Sequence, residues 1–282
     1  MLKIGLLGAS RIAVPAIIAP ASTSSAVTVT RVAASDPVRA AAYAEKHGID
    51  DICSGYQALV ESPQVDLVYN ALPPSGHRHW SIEALDNGKD VLCEKPFAMN
   101  ATEARDMVAS AKSTGRHLIE AFHHRFHPFF DRILEILTSG DLGEVREVQA
   151  HFRANIPAGP GELRYDPALG GGALMDLGCY PVHWVRTILG EEPQEIIAES
   201  IMSDAGVDLS TGAELTFANG KSATLSCSMD ESDQSRSTNS VRVECSNGEL
   251  VAENILHPSS GGCIRISVDG DERQETDQVR GV

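Results

Sequence analysis

The 282-residue sequence is poor in positive charge, in paired cysteines and in long apolar runs. It has 23 Lys plus Arg against 39 Asp plus Glu, a formal net charge of −16, which opposes binding to nucleic acid or to an anionic membrane surface. The six cysteines are dispersed, with no C-x-x-C pair and no metal-ligand spacing, so neither a disulfide framework nor a zinc site is predicted. No apolar run approaches the ~20 residues of a membrane-spanning helix.

The first residues resemble a secretory signal only superficially. Met1 to Leu7 places one lysine before an apolar run, but Gly8, Ser10 and Arg11 interrupt that run. Because a signal peptide needs an apolar core of about 7 to 15 residues, we predict that this segment is the first β-strand. Together with the reduced cysteines, this interpretation predicts a cytoplasmic protein.

The first 120 residues alternate β-rich runs with helix-like stretches, as in an α/β fold with a parallel, doubly wound sheet. The predicted strands are Lys3 to Leu7, Val27 to Ala34, Leu67 to Ala71, Asp90 to Cys93 and Leu118 to Ala121. The predicted helices are Ile12 to Ile18, Pro37 to His47, His77 to Asn87 and Ala101 to Ser113, with Gly48, Gly88 and Gly115 as C-terminal stops. We therefore predict a Rossmann domain over residues 1–121.

The rest of the chain, residues 122–282, is predicted to form an α+β domain with a largely antiparallel, open sheet. Helices are predicted at Phe129 to Leu137 and Ala173 to Leu189, on either side of a strand near Val145 to Phe152. Further strands are predicted at Glu195 to Ser203, Ala213 to Phe217, Ser222 to Ser228, Ser240 to Cys245, Glu249 to Glu253 and Cys263 to Val268, with turns at Asn219-Gly220 and Asn247-Gly248.

A glycine turn lies between the first predicted strand and the first predicted helix. The segment Gly8-Ala9-Ser10-Arg11-Ile12-Ala13 matches the dinucleotide-binding pattern G-x-G-x-x-G/A, except that serine replaces the second glycine. Gly8 would permit the tight turn, Ser10 the approach of a pyrophosphate, and Ala13 close helix packing, with the helix N-terminus attracting the phosphates. An ordinary small-residue turn would have the same composition, so the motif alone leaves both interpretations open.

The end of the second predicted strand should discriminate NAD from NADP. The expected acidic position is Ala34, whereas the Ser35 hydroxyl and Arg39 would accommodate a 2′-phosphate, so NADP is favoured and NAD remains possible. The alternatives are that Asp36 is a helix N-cap and that Arg39 is a solvated helix residue.

Four further segments, taken with the glycine turn, resemble the Gfo/Idh/MocA family of oxidoreductases over Leu2 to about Val268. They are Tyr69 to His77, Ala84 to Pro96 with its Glu94-Lys95-Pro96, Glu120 to Pro128, and Gly170 to Tyr180. The resemblance implies hydride transfer between NAD(P) and a carbinol carbon of a sugar, polyol or related diol. Tyr180 stands where many sugar dehydrogenases of the family carry histidine, and this is similar to the dihydrodiol dehydrogenase and glucose-fructose oxidoreductase branch.

Lys95 is the predicted catalytic residue of the first domain. It follows an apolar strand at the carboxyl edge of a parallel sheet, where open α/β folds bind their ligands. Burial and the positive nicotinamide ring would lower its pKa from ~10.4 toward the ~7 to 8 that suits proton transfer. The alternative is a surface lysine paired with Glu94. The resemblance also assigns the cofactor contacts Leu72, Pro73, Ser75, His77 and Glu94, and His77 would otherwise only cap its helix.

The second domain is predicted to add Asp176, Tyr180 and His183, which share a helix face at i, i+4 and i+7 after the Gly170-Gly171-Gly172 run. The resemblance makes Tyr180 a hydrogen-bond donor or proton relay to the substrate oxygen and Asp176 its orienting partner, with the active site in the cleft between the domains. His183 and Arg125 would bind substrate, although a buried histidine beside Trp184 is an equal alternative for His183. His123 and His127 stand at i, i+4, but no third ligand is identifiable, so no metal is predicted.

Two alternatives concern activity and assembly. A dinucleotide-binding regulator of the same fold, without turnover, is the second functional hypothesis, and retention of Lys95, Asp176 and Tyr180 favours the enzyme. Members of the family usually continue past the last strands with a helix that packs back on the structure, whereas this sequence stops at Val282, so the chain is either truncated or a short member. If that helix is absent, we expect an uncovered apolar surface and either lower stability or compensation by oligomerisation. The resemblance implies a homodimer or higher oligomer through the open sheet.

Overall fold

The computed structural model describes residues 1–230 and 238–276. The chain divides into two compact units, each with its own sheet. The first unit comprises Met1–Ala121 with Ala168–Gly170, and the second comprises Phe122–Pro167 with Gly171–Val282.

The first unit contains six parallel strands, which confirms the predicted Rossmann-type sheet. The strands are β1 Leu2–Leu7, β2 Val27–Ala33, β3 Asp51–Ile52, β4 Leu67–Asn70, β5 Asp90–Cys93 and β6 Leu118–Glu120. Their order is β3-β2-β1-β4-β5-β6, so the order reverses between β1 and β4, where doubly wound sheets bind ligands. The two-residue strand β3 was not predicted because it is exposed and too short to carry a periodic pattern.

Five helices pack around this sheet, and Gly48 and Gly115 end two of them as predicted, whereas α4 ends one residue before the predicted stop, with Asn87 as its cap. They are α1 Ala19–Ser22, α2 Pro37–His47, α3 Tyr56–Val60, α4 His77–Asp86 and α5 Ala101–Thr114. Gly48 and Gly115, with φ of 66° each, cap α2 and α5 in the left-handed conformation. The predicted first helix differs, because Val14–Ile18 forms a π-helical turn before the short α1. Buried Leu7, Val68 and Val91 of the strands form the core with Leu59 and Leu85 of the helices.

The second unit is an eight-stranded mixed sheet with two helices, α6 Pro128–Thr138 and α7 Cys179–Leu189. Phe130 and Trp184 of these helices are fully buried against Val148 and Val241 of the sheet. The strands are β7 Val145–Arg153, β8 Glu195–Met202, β9 Asp208–Thr216, β10 Ser222–Ser228, β11 Thr238–Cys245, β12 Gly248–Glu253, β13 Cys263–Val268 and β14 Asp271–Thr276. Their order is β14-β13-β12-β11-β7-β10-β9-β8.

This sheet confirms the predicted largely antiparallel fold, with two differences from the predicted elements. β7 and β10 are parallel neighbours, because 68 residues separate their ends and allow a crossover that a hairpin turn does not. β14 was not among the predicted strands, yet it pairs antiparallel with β13. An exposed edge strand is held by main-chain hydrogen bonds, so it needs no apolar alternation.

Candidate active site

The glycine turn after β1 has the backbone conformation that the dinucleotide-binding interpretation requires. Gly8 has φ +97°, and its N–H donates to the carbonyl of Ala33 at the end of β2, 2.9 Å away. A Cβ added to Gly8 would lie 3.1 Å from the carbonyl oxygen of Ala71, just after β4. Both the backbone and the available space therefore select glycine, which leaves this strand edge open to close approach.

Ser10 holds the turn that leads into the first helix. Its hydroxyl oxygen accepts a hydrogen bond from the N–H of Ala13 at 3.3 Å, and its carbonyl accepts one from the Tyr43 hydroxyl at 2.8 Å. The next two residues, Arg11 and Ile12, are exposed. The turn is therefore anchored at Ser10 and presents the side chains that follow it to solvent.

Arg39 is an exposed residue of α2 whose side chain reaches this turn. Its guanidinium Nη2 donates to the carbonyl of Ala9 at 2.9 Å, which holds the positive charge next to the glycine turn. The Asp36 carboxylate accepts from the N–H of Val38 at 2.9 Å and is the N-cap of α2, as the alternative interpretation of this residue required. Ser35, just before Asp36, is exposed. The Arg39 guanidinium and the exposed Ser35 hydroxyl thus both follow shortly after the end of β2.

The end of β4 is held by a buried polar group, Asn70. Its side-chain amide donates to the Ser81 hydroxyl at 3.1 Å and to the His77 carbonyl at 3.3 Å, and its backbone carbonyl accepts from the Glu94 N–H at 2.9 Å. The loop that follows contains Leu72 and Pro73, with exposed Ser75 in a short 3-10 turn. Asn70 therefore connects this loop to the start of the Glu94-Lys95-Pro96 segment.

His77 is a buried tether, with none of its surface exposed. Its Nε2 lies 2.8 Å from the carbonyl oxygen of Leu72, and its Nδ1 lies 3.0 Å from that of Pro96. Burial lowers the pKa of His77, so near pH 7 the ring is neutral and donates from one nitrogen. The ring links the loop after β4 to the loop after β5, and both of its nitrogens face protein carbonyls instead of a ligand.

Lys95 stands directly after β5, at the same sheet edge as the glycine turn. It is half-buried, and the Lys95-Pro96 peptide is cis. The Glu94 carboxylate accepts a hydrogen bond from the Lys95 backbone N–H at 3.2 Å and another from the hydroxyl of Tyr69 in β4. Burial, followed by the Glu94 charge, raises the pKa of Tyr69, which keeps that hydroxyl protonated as a donor.

Glu120, the last residue of β6, faces the same segment. It lies opposite Cys93 in the strand register, and its carboxylate interacts with the N–H of Phe97 and the charges of Glu94 and Lys95. Burial is the main cause that raises the pKa of Glu120 to about 7. A carboxyl group that titrates near neutral pH therefore stands next to the predicted catalytic lysine.

Asp176 lies in the second unit, where it forms an ion pair with Arg164. The distance between Arg164 Nε and Asp176 Oδ2 is 2.6 Å, and Arg164 Nη1 also contacts Glu162 at 2.9 Å. Asp176 is part of a π-helical turn, Leu174–Gly178, that precedes α7. The helix predicted over Ala173 to Leu189 therefore begins as a π-helical turn, and of the three predicted residues only Tyr180 and His183 lie in its α-helical part, α7.

Tyr180 is buried, with 5% of its surface exposed, in the first turn of α7. Its ring packs edge-on against Phe122 and Phe152, with centroid distances of 5.3 and 5.6 Å. These contacts hold the ring in one orientation.

His183, one turn further along α7, pairs with a buried histidine. Its Nδ1 lies 3.2 Å from Nε2 of His124, whose other ring nitrogen has no partner among the described residues. Burial lowers the pKa of His124 to about 2 and, together with the charges of Arg125 and Arg186, lowers the pKa of His183 to about 4. Both rings are neutral at pH 7, so one donates to the other.

The remaining basic residues before α6 have separate partners. His127 is the N-cap of α6 and accepts the Phe129 N–H at 3.1 Å, whereas His123 Nε2 lies 3.0 Å from the Leu256 carbonyl oxygen. Arg125 is exposed, with its guanidinium 3.4 Å from Asp131. Among residues 1–230 and 238–276, no group of three His, Cys, Asp or Glu is arranged to hold a metal ion.

The glycine run before α7 permits close backbone packing. A Cβ on Gly171 would lie 2.5 Å from the Arg164 carbonyl oxygen, and the N–H of Gly172 donates to that same oxygen at 2.9 Å. The run therefore positions Arg164, which in turn holds Asp176. Sequence reasoning missed this arginine because nothing in its local pattern connects it to a residue 12 positions later.

Other parts of the site also escaped sequence reasoning. Tyr69, Asn70 and Glu120 lie in segments that resemble the family, but no role of their own followed from the sequence. The one available signal was that polar residues end β4 and β6 and that Glu94 follows the last residue of β5, at the sheet edge where ligands bind.

Comparison with known proteins matches both units to one family. A model described as "Oxidoreductase family, NAD-binding Rossmann fold" matches residues 2–122, and one described as "GFO/IDH/MocA C-terminal domain" matches residues 130–251. In the part of the chain that the structure describes, no helix is long and apolar enough to cross a membrane.

Three similar proteins illustrate the range of the family. D-xylose 1-dehydrogenase (NADP(+)) 2 of Haloferax volcanii is 34% identical over 96% of this chain and 82% of its own length. Trans-1,2-dihydrobenzene-1,2-diol dehydrogenase of Xenopus tropicalis is 34% identical over 79% of this chain and 68% of its own. A 3-ketoreductase from Actinomadura kijaniata, solved with NADP and TDP-benzene, has a TM-score of 0.89 and 30% identity, covering 98% of this chain and 84% of its own.

Proposed function

We propose that this chain, which belongs to the GFO/IDH/MocA oxidoreductase family, transfers a hydride between NADP and a carbinol or carbonyl carbon of a sugar, polyol or trans-dihydrodiol. The relatives are dehydrogenases and reductases of sugars and diols, so an NAD(P)-dependent oxidoreductase is the class of enzyme. The observation that carries the proposal is that Lys95 follows β5 at the sheet edge where the glycine turn follows β1.

The residues at this edge fit a dinucleotide. The backbone of Gly8, Ala9 and Ser10 would hold the pyrophosphate, because Gly8 has positive φ and no room for a Cβ beside Ala71. Arg39 and Ser35 would hold the 2′-phosphate that distinguishes NADP from NAD, since a carboxylate is absent at Ala34. The bound cofactor supplies the hydride donor or acceptor.

We assign the proton transfer to Lys95 and Tyr180. As the substrate is oxidised, the Lys95 amine would take the hydroxyl proton, and in reduction the ammonium would return it. The Tyr180 hydroxyl would hydrogen-bond the substrate oxygen, and its ring is held for this by Phe122 and Phe152. Asp176, ion-paired with Arg164, would orient Tyr180, and His183 and Arg125 would border the substrate.

Turnover with NADP+ on D-xylose and on trans-1,2-dihydrobenzene-1,2-diol, and with NADPH on keto-sugars, tests the proposal. Lys95→Met and Tyr180→Phe are expected to lower kcat about 10²- to 10⁴-fold with little change in NADP affinity, because each removes a proton-active group. Lys112→Met, an exposed lysine in the last turn of α5, is the charge-matched control. Tight NADP binding without turnover on any substrate would instead favour the regulatory protein.

Assembly through the open sheet of the second unit is part of the same proposal. Ile197 and Ile201 of β8 are 60% and 63% exposed. Ile197 pairs with Glu214, whereas Ile196 pairs with buried Leu215, so Ile197 and Ile201 lie on the sheet face opposite the core. Two exposed isoleucines on one sheet face, on either side of Glu199, favour a homodimer contact there.

A further inference from the structure

The backbone N–H groups that follow Gly8 are available to a ligand. Those of Ser10, Arg11 and Ile12 have no acceptor in the part of the chain that the structure describes, whereas the N–H of Ala13 donates to the Ser10 hydroxyl at 3.3 Å. Backbone N–H groups that lack a protein acceptor bind water or a ligand. A turn with several such groups can donate more than one hydrogen bond to the same anion.

Two side chains of α2 hold the carbonyl groups of the same turn. Arg39 Nη2 donates to the Ala9 carbonyl at 2.9 Å, and the Tyr43 hydroxyl donates to the Ser10 carbonyl at 2.8 Å. The two residues are four positions apart, so both lie on one face of α2. The peptide bonds that follow Ala9 and Ser10 are trans, and in a trans peptide the C=O and the N–H point in opposite directions. The N–H groups of Ser10 and Arg11 therefore point away from α2.

The Tyr43 contact is the better anchored of the two. The tyrosine is half-buried and packs against a small cluster of buried alanines, Ala9, Ala34 and Ala40. Burial raises the pKa of Tyr43, so the hydroxyl stays protonated and donates near pH 7. The Arg39 side chain, by contrast, is exposed, and it loses more conformational freedom when it holds a carbonyl.

We propose that Tyr43 is a positioning residue of the cofactor site, whose hydroxyl fixes the Ser10–Arg11 peptide so that the Arg11 N–H is directed to donate to the pyrophosphate of NAD(P). The inference rests on the proposed function in one respect, that the glycine turn binds the pyrophosphate. A peptide that is held before the cofactor arrives loses no freedom on binding, so Tyr43 adds affinity without touching the ligand. Because NADP and NAD share the pyrophosphate, this contribution is the same for both.

Tyr43→Phe removes only the hydroxyl and keeps the packed ring. We expect the affinities for NADP, NAD and ADP-ribose, measured by isothermal titration, each to fall about tenfold, since the freed peptide loses part of a charge-assisted hydrogen bond to the pyrophosphate. Adenosine 2′-monophosphate, which has no pyrophosphate, should bind as it does to the wild type. Tyr165→Phe is the matched control, because the half-buried Tyr165 donates to the Ile156 carbonyl at 2.8 Å in the second unit, and it should leave all of these affinities unchanged.

NMR tests the positioning itself. In isotope-labelled, deuterated wild type, saturation with ADP-ribose should move the Arg11 amide proton downfield, as expected for a new hydrogen bond to a phosphate oxygen. The shift at saturation should be smaller in Tyr43→Phe, whereas a variant that is only less stable keeps the full shift once it is saturated. An unchanged affinity of Tyr43→Phe for ADP-ribose, or an equal loss for adenosine 2′-monophosphate, would overturn the proposal. So would an Arg11 shift that is absent in the wild type or undiminished in Tyr43→Phe.

These measurements separate the inference from the proposed function. If no substrate is turned over but Tyr43→Phe binds ADP-ribose about tenfold more weakly, the proposed hydride transfer fails and the role of Tyr43 stands. If the wild type is active with NADP and Tyr43→Phe binds ADP-ribose as tightly as the wild type does, only the role of Tyr43 fails. In an active enzyme, Tyr43→Phe should raise KM for NADP about tenfold and leave kcat at saturating NADP unchanged, because Tyr43 acts on cofactor binding and not on proton transfer.

Discussion

Replacing Glu120 by glutamine should stabilise the protein above neutral pH, because the folded state holds this carboxylate at a cost. The pKa of Glu120 rises from its ordinary 4.5 to about 7, chiefly through burial. The folded protein therefore keeps the Glu120 proton up to about pH 7, whereas the unfolded chain releases it near 4.5. Between these values the folded state binds more protons, so the contribution of Glu120 to stability falls as pH rises.

The size of the effect follows from the same values. A difference of about 2.5 pH units at about 1.4 kcal/mol per unit corresponds to about 3.5 kcal/mol at most. Glutamine carries no charge at any pH, so the gain in unfolding free energy of Glu120→Gln over wild type should grow by up to this amount from pH 4.5 to 7 and then level off.

Urea unfolding at a series of pH values measures this difference. The chain has two tryptophans, Trp80 in the first unit and Trp184 in the second, so a Trp184→Phe background makes the fluorescence report on the unit that contains Glu120. Glu45→Gln in the same background is the control and should show a flat difference curve. A curve for Glu120→Gln that is also flat between pH 4.5 and 7.5 would refute the reasoning.

Two further predictions concern the cofactor and the assembly. Arg39→Ala should weaken NADP binding about 10- to 100-fold and change NAD binding little, because it removes a charge-assisted contact to the 2′-phosphate, and isothermal titration with both cofactors checks this. Equal losses for NADP and NAD would mean that Arg39 acts only through its contact with Ala9. Ile197→Lys should convert a dimer to monomers in light scattering after size exclusion, with Ile52→Lys, an exposed isoleucine of the first unit, as control. A mass unaffected by Ile197→Lys would exclude this face as the contact.

The raised pKa of Glu120 marks a carboxylate that the folded chain holds at a cost in stability. A buried carboxylate beside a second carboxylate costs folding free energy, and such groups occur where their charge is used. Asn70 is likewise a fully buried polar side chain. Its amide donates hydrogen bonds to the His77 carbonyl and the Ser81 hydroxyl, and these bonds order the strand end.

Local sequence alone determined much of this protein. The alternation of apolar runs with capped helices predicted five of the six strands of the first sheet, and Gly48 and Gly115 end α2 and α5 because only a residue tolerant of positive φ fits there. The motifs around Gly8 and Lys95 were visible for the same reason, since a turn or a strand end is specified by adjacent residues. Periodicity also indicated the strands of the second sheet, but not polar β14, which main-chain pairing holds.

Only the tertiary structure decided which side chains meet. Strand order brings Glu120 of β6 beside Lys95 after β5, the glycine run brings Arg164 to Asp176, and the packing of α7 brings His183 to His124. Each of these contacts joins residues 12 to 59 positions apart or depends on which strands are neighbours, and no local pattern encodes that choice. The pKa of a carboxyl such as Glu120 is set by burial and by these neighbours, and so it too belongs to the folded chain.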